Sequence, residues 1–378
     1  MSSSSQLGYM EKFFGYIGIF CQIVGATIVL FVLGHFLLGA AALVHNFLVS
    51  GEISKVDARY KSPVYDHDPD RIAYWTEFEQ AWGGHFEPYV HFRRDEFHGK
   101  FINTEADGTR RTVKGHPAAD SKKVFMFGGS TLWGTGVADD KTIPSIVQAL
   151  LGDGYDVYNF GDSAYVSTQE LNVLLQLLAQ GNIPDIVIFY DGVNDGYAGA
   201  YSPAIPRDPH NLRLRDGPKK PLVLEIIYRS NYRKLLEMLM RKWKFAAWDE
   251  KVAPSIPANS AGTIDAYEAH IRQVTALARE YGFQAYFFWQ PNLFSLSRTV
   301  EIPFERGVIT SSSPTLVASQ QAVYQAARER LSGREDENIF FLGNIFDETD
   351  EPVYIDWHHL GANGNEIIAR EMVRDLAQ

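Results

Sequence analysis

Cysteine is nearly missing from this chain. Its 378 residues hold one, Cys21, inside an apolar N-terminal run. That excludes an intrachain disulfide, a thiolate metal cluster and a cysteine nucleophile in the remainder, and it is compatible with an oxidising compartment. Positive charge is also short. Thirty-five Lys and Arg face 46 Asp and Glu, a formal net charge of −11. Such a balance argues against broad nucleic-acid binding, so no nucleic acid is expected as a partner. Charge is absent altogether from Phe13–Ser50. A bilayer needs roughly 20 apolar residues, and this run exceeds that. We read one long transmembrane helix within 1–50, single-pass. A cleaved signal peptide fits less well, because its basic region would rest on Lys12 alone and the run is too long. Lys12 precedes the run and Lys55, Arg59 and Lys61 follow it. By charge count alone the large domain would face the cytoplasm.

Residues 51–122 are polar, aromatic-rich and weakly periodic, with Pro63, Pro69, Pro88, Pro117 and the pair Gly83–Gly84. They read as a linker and an irregular packing subdomain. His67, His85, His91, His98 and His116 follow no metal-ligand spacing, and no metal or cofactor is expected.

From Val124 the pattern alternates between short apolar strands and amphipathic helices. Strands are expected at Val124–Phe127, Asp156–Phe160, Ile186–Tyr190, Ala285–Trp289 and Ile339–Leu342. Helices are expected at Ile143–Leu151, Thr168–Gln180, Ile264–Tyr281, Pro314–Leu331 and Asn365–Leu376. Strands apolar on both sides, separated by helices, imply an α/β fold with a parallel sheet covered on both faces. An insertion at about 196–259 interrupts the alternation. Its Lys219–Lys244 stretch is basic, with Leu235, Leu236, Leu239 and Met240 at helical spacing. It reads either as an amphipathic helix on anionic lipid or over the site, or as an ordinary surface helix.

In an open parallel sheet, ligands bind beyond the carboxyl ends of the strands. Five polar loops collect there. They carry Ser130, the run Asn159–Ala164, the group Asp191, Asn194 and Asp195, the pair Gln290 and Asn292, and the group Asp356 to His359. Gly128 and Gly129 allow a sharp turn before Ser130, which stands either as a nucleophile or as a helix cap. The chemistry of acyl transfer asks for these parts. Ser130 needs a base, which His359 supplies. That base needs an orienting carboxylate, and Asp356 lies three residues before it. The tetrahedral intermediate needs fixed donors. The Ser130 N–H, a backbone N–H after the second strand and the Asn194 amide are candidates. The Gly-Gly-Ser130-Thr sequence and the tiny Asp–His gap differ from the G-x-S-x-G elbow of α/β-hydrolases.

These residues resemble the motif blocks of the SGNH (GDSL-type) hydrolase family. Gly128-Gly-Ser130-Thr resembles the first block, with glycine where the family name has aspartate. Asn159-x-Gly161 with Ala164 resembles the second, Gly192-Val-Asn194-Asp195 the third, and Asp356-x-x-His359-Leu360 the fifth. The similarity spans about 123–378. It implies a three-layer sandwich with a five-stranded, flavodoxin-like parallel sheet, and a hydrolase domain over 123–378. It also implies an oxyanion hole of Ser130, Ala164 and Asn194. The family's glycine falls at Ala164, whose methyl narrows the hole, with Gly161 as the alternative donor. His358 competes with His359 as base, but His359 keeps the motif spacing. Trp133, Trp357 and Asp195 flank these residues as candidate substrate contacts, with burial in the core as the competing reading for the tryptophans. By resemblance, the expected function is a membrane-anchored esterase or acyltransferase with an extracytoplasmic domain. Its substrates would be O-acyl groups, chiefly O-acetyl, on a cell-surface or exported polysaccharide, or small esters. A lipid esterase or thioesterase at the membrane surface, and a non-catalytic glycan-binding or scaffold protein that retains the fold, are the alternatives.

Overall fold

We describe the fold from a computed structural model over residues 3–49, 56–118, 120–200, 232 and 253–376. The basic stretch Lys219–Lys244 lies outside the described residues, Tyr232 excepted. The chain divides into two compact units. In one, a helix runs Ser3–Val49. Its Lys12–Ala41 portion has a mean hydropathy of 2.4, is long and apolar enough to cross a membrane, and contains no buried residue among those described. Tyr232 stacks on Phe31 of this helix, with ring centroids 4.7 Å apart, and its hydroxyl donates to the Phe31 carbonyl at 3.0 Å.

The other unit is built on a five-stranded sheet. In chain order its strands are β5 (Lys122–Gly128), β6 (Tyr155–Asn159), β7 (Ile186–Asp191), β8 (Gln284–Trp289) and β9 (Ile339–Phe341). Four short strands precede them: β1 (Gly84–Glu87), β2 (His91–Arg94), β3 (Phe97–His98) and β4 (Asn103–Thr104). The spatial order is β6-β5-β7-β8-β9, and every neighbouring pair is parallel. The chain goes from β5 outward to β6 and then crosses to β7 on the other side. This reversal opens a crevice at the carboxyl ends of β5 and β7, where such sheets bind ligands.

Alternation along the strands feeds two apolar layers. Phe125, Phe127, Val187 and Phe189 pack on helices Ser167–Ala179, Ile256–Tyr281 and Pro314–Leu331. Val124, Met126, Ile186 and Ile188 pack on helices Ile143–Leu151 and Ala362–Leu376. The result is a three-layer α/β sandwich. The helix expected from Ile264 begins instead at Ile256. Pro257 fits a first turn, and Ser260 and Thr263 bond back to the carbonyls of Ile256 and Asn259, at 2.7 and 2.8 Å. The polar composition of that turn concealed it.

The segment before the sheet is more ordered than its sequence suggests. Helix Arg71–Gln80 buries Tyr74, Trp75 and Phe78 in a third apolar cluster with Tyr65, Ile102, Trp133 and Ile355. Strands β1 and β2 form an antiparallel hairpin. Neither β1 nor β2 alternates between buried and exposed residues, so the usual strand signal is missing.

Candidate active site

β5 delivers the chain to Gly129, which leads extended into a single helical turn, Ser130–Trp133. A Cβ on Gly129 would stand 2.3 Å from the Asn194 amide nitrogen, so the missing side chain lets that amide approach. Ser130 opens the turn and is 9% exposed. On the far side, the loop after β9 folds back on itself. The Ile355 N–H donates to the His359 carbonyl at 2.9 Å, and Tyr354 bridges Leu360. This closure fixes the imidazole.

Ser130 and His359, 229 positions apart, meet with Oγ 2.7 Å from Nε2. His359 Nδ1 lies 2.6 Å from Asp356 Oδ2. A carboxylate can only accept, so Nδ1 carries the proton and Nε2 is left to accept from the Ser130 hydroxyl. Asp356 Oδ1 accepts the backbone N–H groups of His358 and His359, at 3.0 and 2.8 Å. Burial pushes the Asp356 carboxyl up, but its electrostatic interactions with His359 and His358, the His359 hydrogen bond and the Arg59 charge outweigh it. The net effect holds Asp356 well below the usual carboxylate range.

Arg59 was not foreseen. Its Nη1 reaches Asp356 Oδ2 at 3.5 Å across 297 positions. The guanidinium is held by Asp57, with Nη2 to Oδ2 at 2.7 Å, and lies over the Trp75 ring at 4.5 Å. No local sequence signal marks a residue placed by so distant a contact.

Of the candidate donors for an oxyanion, only the alternative at Gly161 is already committed. The N–H groups of Ser130 and Ala164 have no hydrogen-bond partner among the described residues. Ala164 sits at φ +60°, a left-handed conformation that favours glycine. It is held there by its neighbours. Asp162 accepts from Arg94 Nε at 3.1 Å, the Arg94 guanidinium also bonds Ser163, and Asn194 Nδ2 donates to the Tyr165 carbonyl at 2.8 Å. That bond leaves Asn194 a second amide hydrogen. Gly161 is not a spare donor: its N–H is committed to Asn159 Oδ1 at 3.0 Å.

Two candidate substrate contacts are structural instead. Trp133 is wholly buried between the guanidinium groups of Arg110 and Arg94, 4.3 and 5.1 Å from its ring, so no sugar can stack there. Asp195 is 1% exposed and accepts from the Ser167 hydroxyl at 2.6 Å, tying down the start of the helix after the Ala164 loop. Trp357 remains partly exposed and stacks on Phe294, with centroids 5.3 Å apart. His358 lies against His359, and burial, then the His359 charge, drives its pKa down to about 3.

Asp356, His358 and His359 bring ligand atoms within 4.8 Å of one another, a grouping that could hold a metal ion. Both nitrogens of His359 are already engaged, by Ser130 and by Asp356. An ion there would have to displace those hydrogen bonds.

No protein-family model and no curated protein matches the chain. Solved structures do. A carbohydrate acetylesterase family member from Sinorhizobium meliloti is 16% identical, with 68% of this chain and 97% of that chain covered, at a TM-score of 0.36. A variant of an acetyl xylan esterase from Geobacillus stearothermophilus is 17% identical over 69% and 96%, at 0.35. An alpha/beta hydrolase enzyme from the metagenome of Lake Arreo, Spain, is 15% identical over 70% and 98%, at 0.36.

Proposed function

We propose that the protein is a serine esterase or acyltransferase that removes or moves small O-acyl groups, chiefly acetyl, on a polysaccharide. One observation carries the reading: the continuous line from the Ser130 hydroxyl through His359 to Asp356, with contacts of 2.7 and 2.6 Å. Ser130 Oγ attacks the acyl carbonyl while His359 Nε2 takes its proton. Asp356, kept ionised, steadies the imidazolium. The developing oxyanion meets the N–H groups of Ser130 and Ala164 and the free amide hydrogen of Asn194. As the intermediate collapses and its bond to the sugar oxygen breaks, His359 returns the proton to that oxygen, which leaves as a hydroxyl. Water, or a second sugar hydroxyl, then attacks the acyl-Ser130 ester and regenerates the enzyme. Arg59 acts through Asp356 as a positioning residue.

The preference for a small acyl group rests on two features. Ser130 is nearly buried, and the Ala164 methyl stands beside the N–H that would receive the oxyanion. The apolar Lys12–Ala41 helix is taken as a single membrane anchor, and an extracytoplasmic domain is the reading that a surface-glycan substrate favours. Ser130→Ala should abolish turnover of 4-nitrophenyl acetate and labelling by a fluorophosphonate, with an unchanged melting temperature. Full activity in that variant sinks the assignment. A faster rate on 4-nitrophenyl palmitate than on the acetate would transfer it to lipid substrates.

A further inference from the structure

Among the described residues outside the N-terminal helix, exposed aromatic side chains concentrate at one place. Trp82, Phe86 and Tyr89 are 53%, 71% and 84% exposed, on or beside the β1–β2 hairpin. A surface normally leaves large rings open singly, and a cluster marks a binding face. The hairpin is also held rigidly. Three side chains along one face of helix Ser167–Ala179 grip successive carbonyls of its turn. Gln169 donates to Val90 at 2.7 Å, Asn172 to Tyr89 at 2.9 Å and Gln176 to Pro88 at 3.3 Å. Val90 is fully buried in the sheet's core. At the base of the hairpin, the Tyr165 hydroxyl donates to the Phe92 carbonyl, and Arg94 bonds Asp162 and Ser163. The platform is thus fastened to the same loop that holds Ala164.

Strain points to the same place. Four non-glycine residues have positive φ among the described residues, and three are Tyr89, His91 and Ala164. Such conformations are unfavourable and persist where the surrounding structure enforces them, often at functional sites. Between hairpin and loop runs an open groove of about 400 Å³, lined by Trp82, His85, Phe86, His91, Arg94 and Ser163. Its size is within the range of small-molecule sites.

We propose that this groove is the glycan subsite of the enzyme. It would receive the carbohydrate chain that carries the acyl group, an inference that rests on the esterase reading of Ser130. Flat aromatic faces suit the C–H faces of pyranose rings, and the imidazoles beside them offer hydrogen bonds to hydroxyls. A fatty acyl chain would need an enclosed aliphatic channel, whereas this groove is open and edged with polar groups. Because the rings stand on a fixed hairpin, little conformational entropy is lost when a sugar binds.

The test is native affinity electrophoresis of the full-length Ser130→Ala chain in sugar-free detergent micelles. Gels contain soluble acetylated xylan or acetylated alginate. We expect retardation in at least one. The further changes Trp82→Ala and Phe86→Ala together should weaken it at least fivefold, with the melting curve confirming the fold. Should that pair fail to fold, Phe86→Ser alone, at a groove position 71% exposed, should still weaken retardation at least twofold. Equal mobility with and without both polysaccharides overturns the proposal, and so does undiminished retardation of the folded variants. Fluorophosphonate labelling of the parent chain reads the Ser130 assignment separately. Retardation without labelling keeps the groove and removes the hydrolase. Labelling without retardation does the reverse.

Discussion

Two groups of carboxylates flank the carboxyl edge of one sheet, and they meet burial in opposite ways. Asp356 keeps about a fifth of its side chain accessible, at 21%, and gathers donors and a cation: His359 Nδ1–H, two backbone N–H groups and Arg59. Glu170, Asp191 and Asp195 are 0%, 3% and 1% exposed. No Lys or Arg pairs with them among the described residues, and both oxygens of Glu170 and one of Asp191 lack a hydrogen-bond partner. Burial raises all three, Asp195 to about 6, and the neighbouring negative charges raise Glu170 and Asp191 further. The difference teaches that a buried carboxyl keeps its charge only where donors and cations surround it. Otherwise it keeps its proton. Asp356 is equipped to orient a base. Glu170 and Asp191 are equipped to be neutral packing, whereas Asp195, which the Ser167 hydroxyl and N–H also reach, is raised only to about 6.

The consequences for stability have opposite signs. Asp356 titrates lower in the folded chain than unfolded. Its contribution is therefore present above the ordinary carboxylate range and is lost as pH falls through the lowered value. The trio titrates higher. Folding is favoured while these groups hold protons, and that advantage shrinks as pH rises, for Asp195 between its ordinary 3.8 and about 6.

The comparison breaks most sharply at Asp356. Asp356→Asn should lower kcat/KM on 4-nitrophenyl acetate by about 10³–10⁴-fold, since the imidazole loses its orienting charge. A loss under tenfold would place Asp356 with the trio as a packing residue. A smaller effect is expected at its partner. Arg59→Gln removes one charge-assisted contact, of about 1.5–3 kcal/mol, so kcat/KM should fall about 10–100-fold. The loss should lie in kcat rather than KM, with partial rescue by Arg59→Lys. A purely structural role would show as a lowered melting temperature with kcat intact.

Glu170→Gln tests the other side. It removes an ionisable group where no cation waits, so it should stabilise the fold by about 1 kcal/mol at pH 8 and hardly at all at pH 4. Denaturant titrations at the two pH values decide this. Equal changes at both would mean that Glu170 is not held protonated. The smallest effect is expected at Ala164. Replacing it with glycine relieves a left-handed alanine, for about 1 kcal/mol of stability at most. It also widens the oxyanion site, and a rise of a few-fold in kcat/KM on bulkier acyl esters should follow. An unchanged acyl-length profile would show that the methyl does not narrow the site.

The sheet was legible in the residue order because its signals are local. Val124–Phe127 and Ile186–Tyr190 are short apolar runs, and Gly181 and Gly282 end helices with positive φ, at +77° and +82°. Helix bounds Ile143–Leu151 and Pro314–Leu331 match the spacing read from the chain. The hairpin Gly84–Arg94 gave no such signal. Its strands do not alternate, and its turn is held by side chains that lie some 80 positions later, Gln169 onto Val90 being 79 positions apart.

Alone, the sequence determined which segments become strands and helices, that Phe13–Ser50 is apolar enough for a bilayer, and which polar residues stand at strand ends. Each of these depends on periodicity, composition or spacing within a few turns of chain. Only the tertiary structure decided that Arg59 meets Asp356, that the Gly161 N–H is already committed to Asn159, that Trp133 is sealed between two arginines and that Asp195 secures a helix. The reason is physical. Whether a donor is free, a ring is reachable or a carboxyl is charged depends on what surrounds it in space, and those neighbours come from distant parts of the chain.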